Sequence, residues 1–303
     1  MSLPGWARLY QGGPMTIIHH PFAPKGFFNH GGHSPDPRGL VLRFEEWEGY
    51  YKAIVASMGY DRDRDEVVAY QLSSLLDQRQ DQLVDPEEIG AMIKGQHVFV
   101  FGDGPTLKDD IAGFDFKSLR VAADGATTKL MDRGILPDII VTDLDGQVEH
   151  QVEANRQGAI VVVHAHGDNQ DAVKEWVPKF EGRIIGTTQS TPIEHVHNFG
   201  GFTDGDRCAY MCDHYNATSI IMVAFNFDDT DEEYMRELGP TKLKKLTWGG
   251  MLLSNLINSE LFFFEDLVEV YRGEEVQPLV DPEGVIEDFV GVYSPPPDVD
   301  RGS

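Results

Sequence analysis

Pro137-Asp138-Ile139-Ile140-Val141-Thr142-Asp143-Leu144-Asp145-Gly146 is the stretch from which the rest of the chain can be ordered. Ile139 to Val141 form an apolar run with no polar face, as a strand covered on both sides by helices requires. A short buried strand over 138–142 would run out into two carboxylates one residue apart. In extended backbone, side chains two residues apart point the same way and lie roughly 6.5 Å apart. Asp143 and Asp145 therefore share one space, Leu144 turns away to pack, and Gly146 lets the chain leave. Paired hard oxygen ligands at a strand's carboxyl end suit Mg2+, which binds through one or two carboxylates plus substrate phosphates. An acidic turn with no metal is the competing reading.

On either side of this strand the pattern alternates. Strands are expected at 97–101, 120–123, 159–164, 183–187 and 219–225, with helices at 126–132, 147–156, 169–177 and 207–216. Strands separated by helices imply βαβ units, a parallel sheet and right-handed crossovers. The fold class is α/β, a parallel Rossmann-like sheet flanked by helices. Residues 95–230 make the α/β domain. Before it, Trp47, Tyr50, Tyr51, Ile54, Val55 and Met58 recur at helical spacing, Gly59 stops that helix, and Asp63 or Asp65 caps a second. Residues 41–94 read as a helical N-terminal module. After the sheet, residues 231–290 read as C-terminal helices completing the site. One helix ends at Gly239-Pro240, and a long helix is expected over 241–271 with a bend at Gly249-Gly250. Residues 1–40, rich in Gly, Pro and His, read as irregular, and 291–303 as a flexible tail. His19, His20, His30 and His33 match no metal spacing, and Met15 is a second candidate start.

Composition narrows the function. Of 303 residues, 41% are apolar, and 50 acidic against 25 basic residues give a formal charge of -25. A chain this acidic lacks the basic footprint of a nucleic-acid binder and would not dock on anionic membranes. No apolar run is long enough to span a bilayer, and the N-terminus lacks a signal-peptide layout. Cys208 and Cys212, four apart on one helix, read as reduced, buried residues of a cytoplasmic protein. Any anionic substrate must be met by a metal and by local basic residues.

In an open parallel sheet, ligands bind beyond the carboxyl ends of the strands. Polar and small residues crowd that edge here: Gly102, Asp103 and Gly104, then Asp124 and Gly125, then Asp143 and Asp145, then His164, His166, Gly167 and Asp168, then Thr187 to Ser190. Helix capping explains one carboxylate per loop; it explains Asp143 with Asp145, or His164 with His166, less well. Phe101-Gly102-Asp103-Gly104-Pro105 is not a G-x-G-x-x-G fingerprint, although glycines before a helix can admit a phosphate. Phe199-Gly200-Gly201-Phe202-Thr203-Asp204-Gly205-Asp206-Arg207 offers backbone N–H groups and a cation for phosphates, or a plain turn. Lys242, Lys244 and Lys245 are the densest basic patch, either a solvated helix face or an anion clamp.

These residues together resemble the archaeal-type 6-hydroxymethyl-7,8-dihydropterin pyrophosphokinase family. The stretch 137–146 is similar to its P-D-x-x-V-T-D-L-D-G signature. Ala122-Ala123-Asp124-Gly125-Ala126 precedes it; His164-Ala165-His166-Gly167-Asp168-Asn169, Gly201 to Arg207, and Lys242-Leu243-Lys244-Lys245-Leu246 with Trp248 follow in order. Phe44-Glu45-Glu46-Trp47 with Gly59-Tyr60-Asp61 resembles the family's helical N-terminal part. The resemblance runs from about 44 to 272. It implies a catalytic fold like that of thiamin pyrophosphokinase and transfer of the terminal diphosphate of ATP to a reduced hydroxymethylpterin, in folate or methanopterin biosynthesis. On this reading Asp143 and Asp145 hold Mg2+, with Asp124 and Asp168 completing the catalytic set. Gly102, Gly104, Thr187, Gly201, Thr203, Arg207, Lys242 and Lys245 hold ATP, and His166, Asn169 and Gln189 read the pterin. A homo-oligomer is compatible with it. The alternatives are a metal-dependent glycosyltransferase using Asp143-Leu144-Asp145 as D-x-D, a non-catalytic nucleotide-binding module, and thiamin as acceptor.

Overall fold

The computed structural model describes residues 44–112, 114–225 and 232–264. Eight strands form one sheet: β1 (His97–Phe101), β2 (Leu119–Ala123), β3 (Ile139–Thr142), β4 (Ile160–Ala165), β5 (Ile184–Thr188), β6 (Val196–His197), β7 (Ser219–Val223) and β8 (Glu260–Phe263). Their order is β6-β5-β4-β3-β2-β1-β7-β8, and every neighbouring pair is parallel. Parallel neighbours need crossovers. The helices are α1 (Phe44–Met58), α2 (Arg62–Asp77), α3 (Pro86–Ile93), α4 (Leu107–Asp110), α5 (Ala126–Met131), α6 (Val148–Arg156), α7 (Gln170–Trp176), α8 (Asp204–His214) and α9 (Glu232–Leu253).

The two-residue period of the strands sorts the core. Val98, Val100, Val121, Ile139, Val141 and Val162 face Ile89 and Ile93 of α3 and Cys208, Met211 and Cys212 of α8. Ile140, Val161 and Val163 face the other way, toward Val68, Leu72 and Leu76 of α2 and Val148 and Val152 of α6. Phe99, Phe101, Ile221 and Val223 continue that face toward Phe116 and Phe264. The helical N-terminal part expected from its aromatics is present: Trp47, Tyr51 and Ile54 of α1 pack on Phe202, Tyr210 and Leu252. Cys208 and Cys212 are free and buried. Among the described residues no helix is long and apolar enough to cross a membrane.

Four expectations need correction. The cap of α2 is Asp61, whose side chain accepts from the Asp63 amide at 3.0 Å, while Asp65 is buried in the helix. Helix α8 begins at Asp204, because Thr203 and Asp206 cap it reciprocally. The kink at Gly239-Pro240 is there, with Gly239 at φ 72°, but no second break occurs at Gly249-Gly250. The helix expected to reach Tyr271 stops at Leu253: the Asp213 carboxylate accepts the amides of Ile257, Asn258 and Ser259 at 3.2, 2.8 and 2.8 Å. That turn delivers Glu260–Phe263 to the sheet edge beside β7. The irregular N-terminal segment and the tail lie outside the described residues.

Candidate active site

The site is built where β2 and β3 end. Thr142, the last residue of β3, uses one hydroxyl twice: it accepts the Leu144 amide at 2.9 Å and donates to Asp124 Oδ1 at 2.6 Å. Asp124 and Leu144 both sit at positive φ, 36° and 68°, a conformation rarely adopted by residues with a Cβ. This turn, beyond the end of β3, puts Leu144 into the core with Ile140. Gln151 of α6 donates its Nε2 to the same Asp124 oxygen at 2.9 Å. Asp124, Asp143 and Asp145 thereby bring one carboxylate oxygen each within 4.8 Å of one another. Gly146 closes on this group so tightly that a Cβ there would lie 2.4 Å from Asp124 Oδ2.

Asp124 and Asp143 are pushed in opposite directions. Burial, only partly offset by the Thr142 hydroxyl, and the charges of Asp143 and Asp145 push Asp124 up to about 7. Burial pushes on Asp143 too, but the His166 hydrogen bond and the charges of Arg207 and Lys245 outweigh it and hold Asp143 below the usual carboxylate range. His166 Nε2 lies 3.3 Å from Asp143 Oδ2. Its Nδ1 accepts the Asp168 amide at 3.3 Å, which assigns the proton of the neutral ring to Nε2, facing Asp143. Asp143 Oδ1 is buried without a donor.

Asn169 pins this loop. Its Nδ2 donates to the carbonyls of Asp143 and His164 at 2.7 Å each, and its Oδ1 accepts the His166 amide at 3.0 Å. From α8, Arg207 Nη1 donates to Asp204 Oδ1 at 2.8 Å and Nη2 to Gln189 Oε1 at 3.4 Å. The first contact has the spacing of an ion pair, yet burial and the charge of Asp143 push Asp204 well above the usual carboxylate range. The guanidinium of Arg207 is thus held between Asp204 and Gln189, and its charge opposes the upward push on Asp204. Burial raises Asp206 to about 6 as well, against the donors of Phe202 and Thr203.

Some expected residues do other work. Asp168 stays out of the carboxylate group: its side chain is 65% exposed and its Oδ1 lies 3.9 Å from Arg64. Cβ atoms at Gly102 and Gly104 would strike Phe225 and the Ala224 carbonyl, the latter at 2.2 Å, so these glycines let the β1 loop lie against the end of β7. A Cβ at Gly201 would meet the Arg207 backbone at 2.6 Å, and Thr203 is engaged in its cap. Thr187 donates to the Val163 carbonyl and therefore accepts from His164 Nδ1, both at 3.2 Å. The amides of Asn169 and Gln189 are already bonded and are not free to read a substrate edge. Lys245 is half-buried and its charge is felt at Asp143. Lys242 is exposed one turn earlier, and Lys244 donates to the Ser57 carbonyl. Nothing in the sequence marks Asp204 or Asp65 as a site residue. Asp204 lies inside a quoted motif; Asp65 looks like any acid in a helix's first turn.

The family model described as "6-hydroxymethylpterin diphosphokinase MptE-like" matches residues 75–232. A protein of Pyrococcus furiosus called 6-hydroxymethyl-7,8-dihydropterin pyrophosphokinase is 40% identical over 72% of this chain and 96% of its own. Proteins of that name from Methanothermobacter thermautotrophicus and Methanocaldococcus jannaschii are 40% and 36% identical over 70% and 71% of this chain, and 94% and 96% of theirs. The crystal structure of a thiamine pyrophosphokinase from Bacillus subtilis overlays 55% of this chain on 60% of its own at 16% identity and a TM-score of 0.28; so loose an overlay adds nothing to the topology above. With a family model spanning more than half of its length and relatives aligned over nearly all of theirs, the chain belongs to the MptE-like 6-hydroxymethylpterin diphosphokinase family.

Proposed function

We propose that the protein transfers the terminal diphosphate of ATP to the hydroxymethyl group of 6-hydroxymethyl-7,8-dihydropterin, giving AMP and the pterin diphosphate. The observation that carries this reading is the meeting of Asp124, Asp143 and Asp145 within reach of the Arg207 charge, in a chain aligned over 96% of a relative named for this activity. In the reaction the hydroxyl oxygen forms a bond to the β-phosphorus. The bond from that phosphorus to the oxygen bridging it to the α-phosphate breaks, AMP carries away the electron pair, and the hydroxyl loses its proton. Such transfers depend on positioning and charge neutralisation.

The donor set fits Mg2+: three clustered carboxylates, one of them offering a buried oxygen with no other partner. Asp143 and Asp145 would hold the ion, which supplies charge neutralisation at the phosphates when bound. Asp124 keeps Oδ1 on Thr142 and Gln151. Its Oδ2 would take up the proton of the attacking hydroxyl. Arg207 and Lys245 bind the phosphates and stabilise the charge arriving on AMP. They oppose locally the repulsion of a chain with formal charge -25. His166 holds Asp143 in place rather than reading the pterin.

The test is incubation with ATP, Mg2+ and the reduced pterin, with products read by mass. AMP and a pterin bearing two phosphates should form together and only when both substrates are present. AMP release that needs thiamin or a sugar instead, or saturable nucleotide binding with no turnover at any metal concentration, would overturn the assignment. The glycosyltransferase reading of Asp143-Leu144-Asp145 has nothing beyond the tripeptide behind it.

A further inference from the structure

We propose that Asp65, in the first turn of α2, is a positioning residue that couples the N-terminal helices to the catalytic rim; the inference rests on the pyrophosphokinase reading above. Asp65 is 3% exposed. A carboxylate that deep is costly unless several donors meet it. Three do. Gly167 N–H donates to Oδ1 at 2.7 Å, and Tyr51 OH and Gln189 Nε2 donate to Oδ2 at 2.7 and 2.8 Å. Burial and the Asp65 hydrogen bond raise the Tyr51 hydroxyl far above its ordinary value, so it remains a donor.

Each bond leads onward. Gly167 follows His166, whose ring faces Asp143. A Cβ at Gly167 would lie 2.8 Å from Arg64 Cβ and 3.2 Å from Asp65 Oδ1, so this approach of loop to helix requires glycine. Gln189 accepts Arg207 Nη2 on its Oε1, and its carbonyl accepts Trp47 Nε1 at 2.8 Å. One carboxylate thus orients both the His166–Asp143 contact and the guanidinium of Arg207. Helix α2 already has an apolar anchor in Val68, Leu72 and Leu76. A buried charge adds little to that anchorage and much to direction.

The test uses Asp65→Asn and the exchange Asp65→Asn with Gln189→Glu. In the single variant the asparagine Nδ2 meets a donor, the Gln189 amide. In the exchange the new amide at position 65 donates to the new carboxylate at position 189, which still accepts from Arg207. The oxygen of that amide keeps the Gly167 N–H, and the Tyr51 hydroxyl turns to accept. Misplacement of reacting groups by about 1 Å costs on the order of 100-fold. Asp65→Asn should therefore lower kcat for AMP release about 10- to 100-fold. It should weaken binding of Mg2+ with α,β-methylene-ATP in calorimetry about tenfold, and leave KM for the pterin within about twofold and the thermal midpoint within a few degrees. The exchange should recover kcat and affinity. Unchanged values in the single variant, no recovery in a folded exchange, or a fall expressed in the pterin KM alone would overturn the proposal. If Asp65→Asn fails to fold, Gln189→Leu, which leaves Asp65 two donors, must show the same loss of affinity; normal affinity sinks the idea. The calorimetric readings do not depend on the acceptor, so a wild type inactive on the pterin refutes the functional reading and leaves them to judge this one.

Discussion

Asp124→Asn should make the protein more stable and inactive. In an unfolded chain an aspartate titrates near 3.9; in the fold Asp124 reaches about 7, first through burial and then through Asp143 and Asp145. The folded state holds this proton longer than the unfolded one, so stability falls as pH rises between about 4 and 7 and the full cost applies above 7. A gap of about three pKa steps at about 1.4 kcal/mol each sets a ceiling near 4 kcal/mol. Asparagine keeps an oxygen for Thr142 and Gln151, and what those donors give the carboxylate is already contained in the value near 7. A net gain of up to about 4 kcal/mol is therefore expected at pH 8 without metal, vanishing below pH 4. Asp206, also raised, is common to both proteins and cancels, while Asp204, raised in part by the Asp124 charge, is relieved in the variant and acts in the same direction. Urea unfolding in EDTA at pH 8 and pH 3.5 measures the difference, and AMP release measures the loss of turnover. Mg2+ should narrow the gap at pH 8 by relieving the parent's repulsion. A variant less stable than its parent at pH 8, or an equal difference at both pH values, would refute the reasoning.

Asp145→Asn should reduce AMP release by at least about 100-fold with the thermal midpoint almost unchanged, since this side chain is exposed; near-normal turnover would remove it from the metal site. Gly146→Ala places a Cβ 2.4 Å from Asp124 Oδ2 while Thr142 and Gln151 hold the other oxygen. Displacing the carboxylate should cost about 1–3 kcal/mol in urea unfolding and about 100-fold in kcat. Asp213→Ala strips the acceptor from three backbone amides that seat β8. It should cost about 3 kcal/mol and speed hydrogen exchange in Glu260–Phe263 before the rest of the sheet; uniform exchange would contradict that role.

Where periodicity is strong, the chain could be read from its residues alone. The β3 run and the carboxylates at the ends of β2 and β3 follow from the apolar pattern and the rule for parallel sheets, but Leu144 reaches the core through a left-handed turn rather than through strand alternation. What the sequence does not show is the path of each loop. Asp168 lies in the right turn but on its exposed side, because Asn169 and the His166 ring organise that turn from within. Gly102 and Gly104 look like a phosphate cradle, yet they are small because Ala224 is close. Leu261-Phe262-Phe263 carries no period that separates a helix from an edge strand, and the Asp213 contacts that settle it come from far upstream. Asp65 was invisible as a site residue because its three donors belong to three other parts of the chain.

The all-parallel order has a consequence for how the molecule is made. No two neighbouring strands can be joined by a hairpin, so each pairing waits for a crossover. The strands from β1 to β6 can be laid down in the order of synthesis, but β1 finds its second neighbour only when Ser219–Val223 exists, with Val98 opposite Ile220. Until then the nascent chain exposes a bare edge of Val98, Phe99 and Val100. Closing so long a loop is slow, and in that interval the half-built sheet is most open to wrong partners.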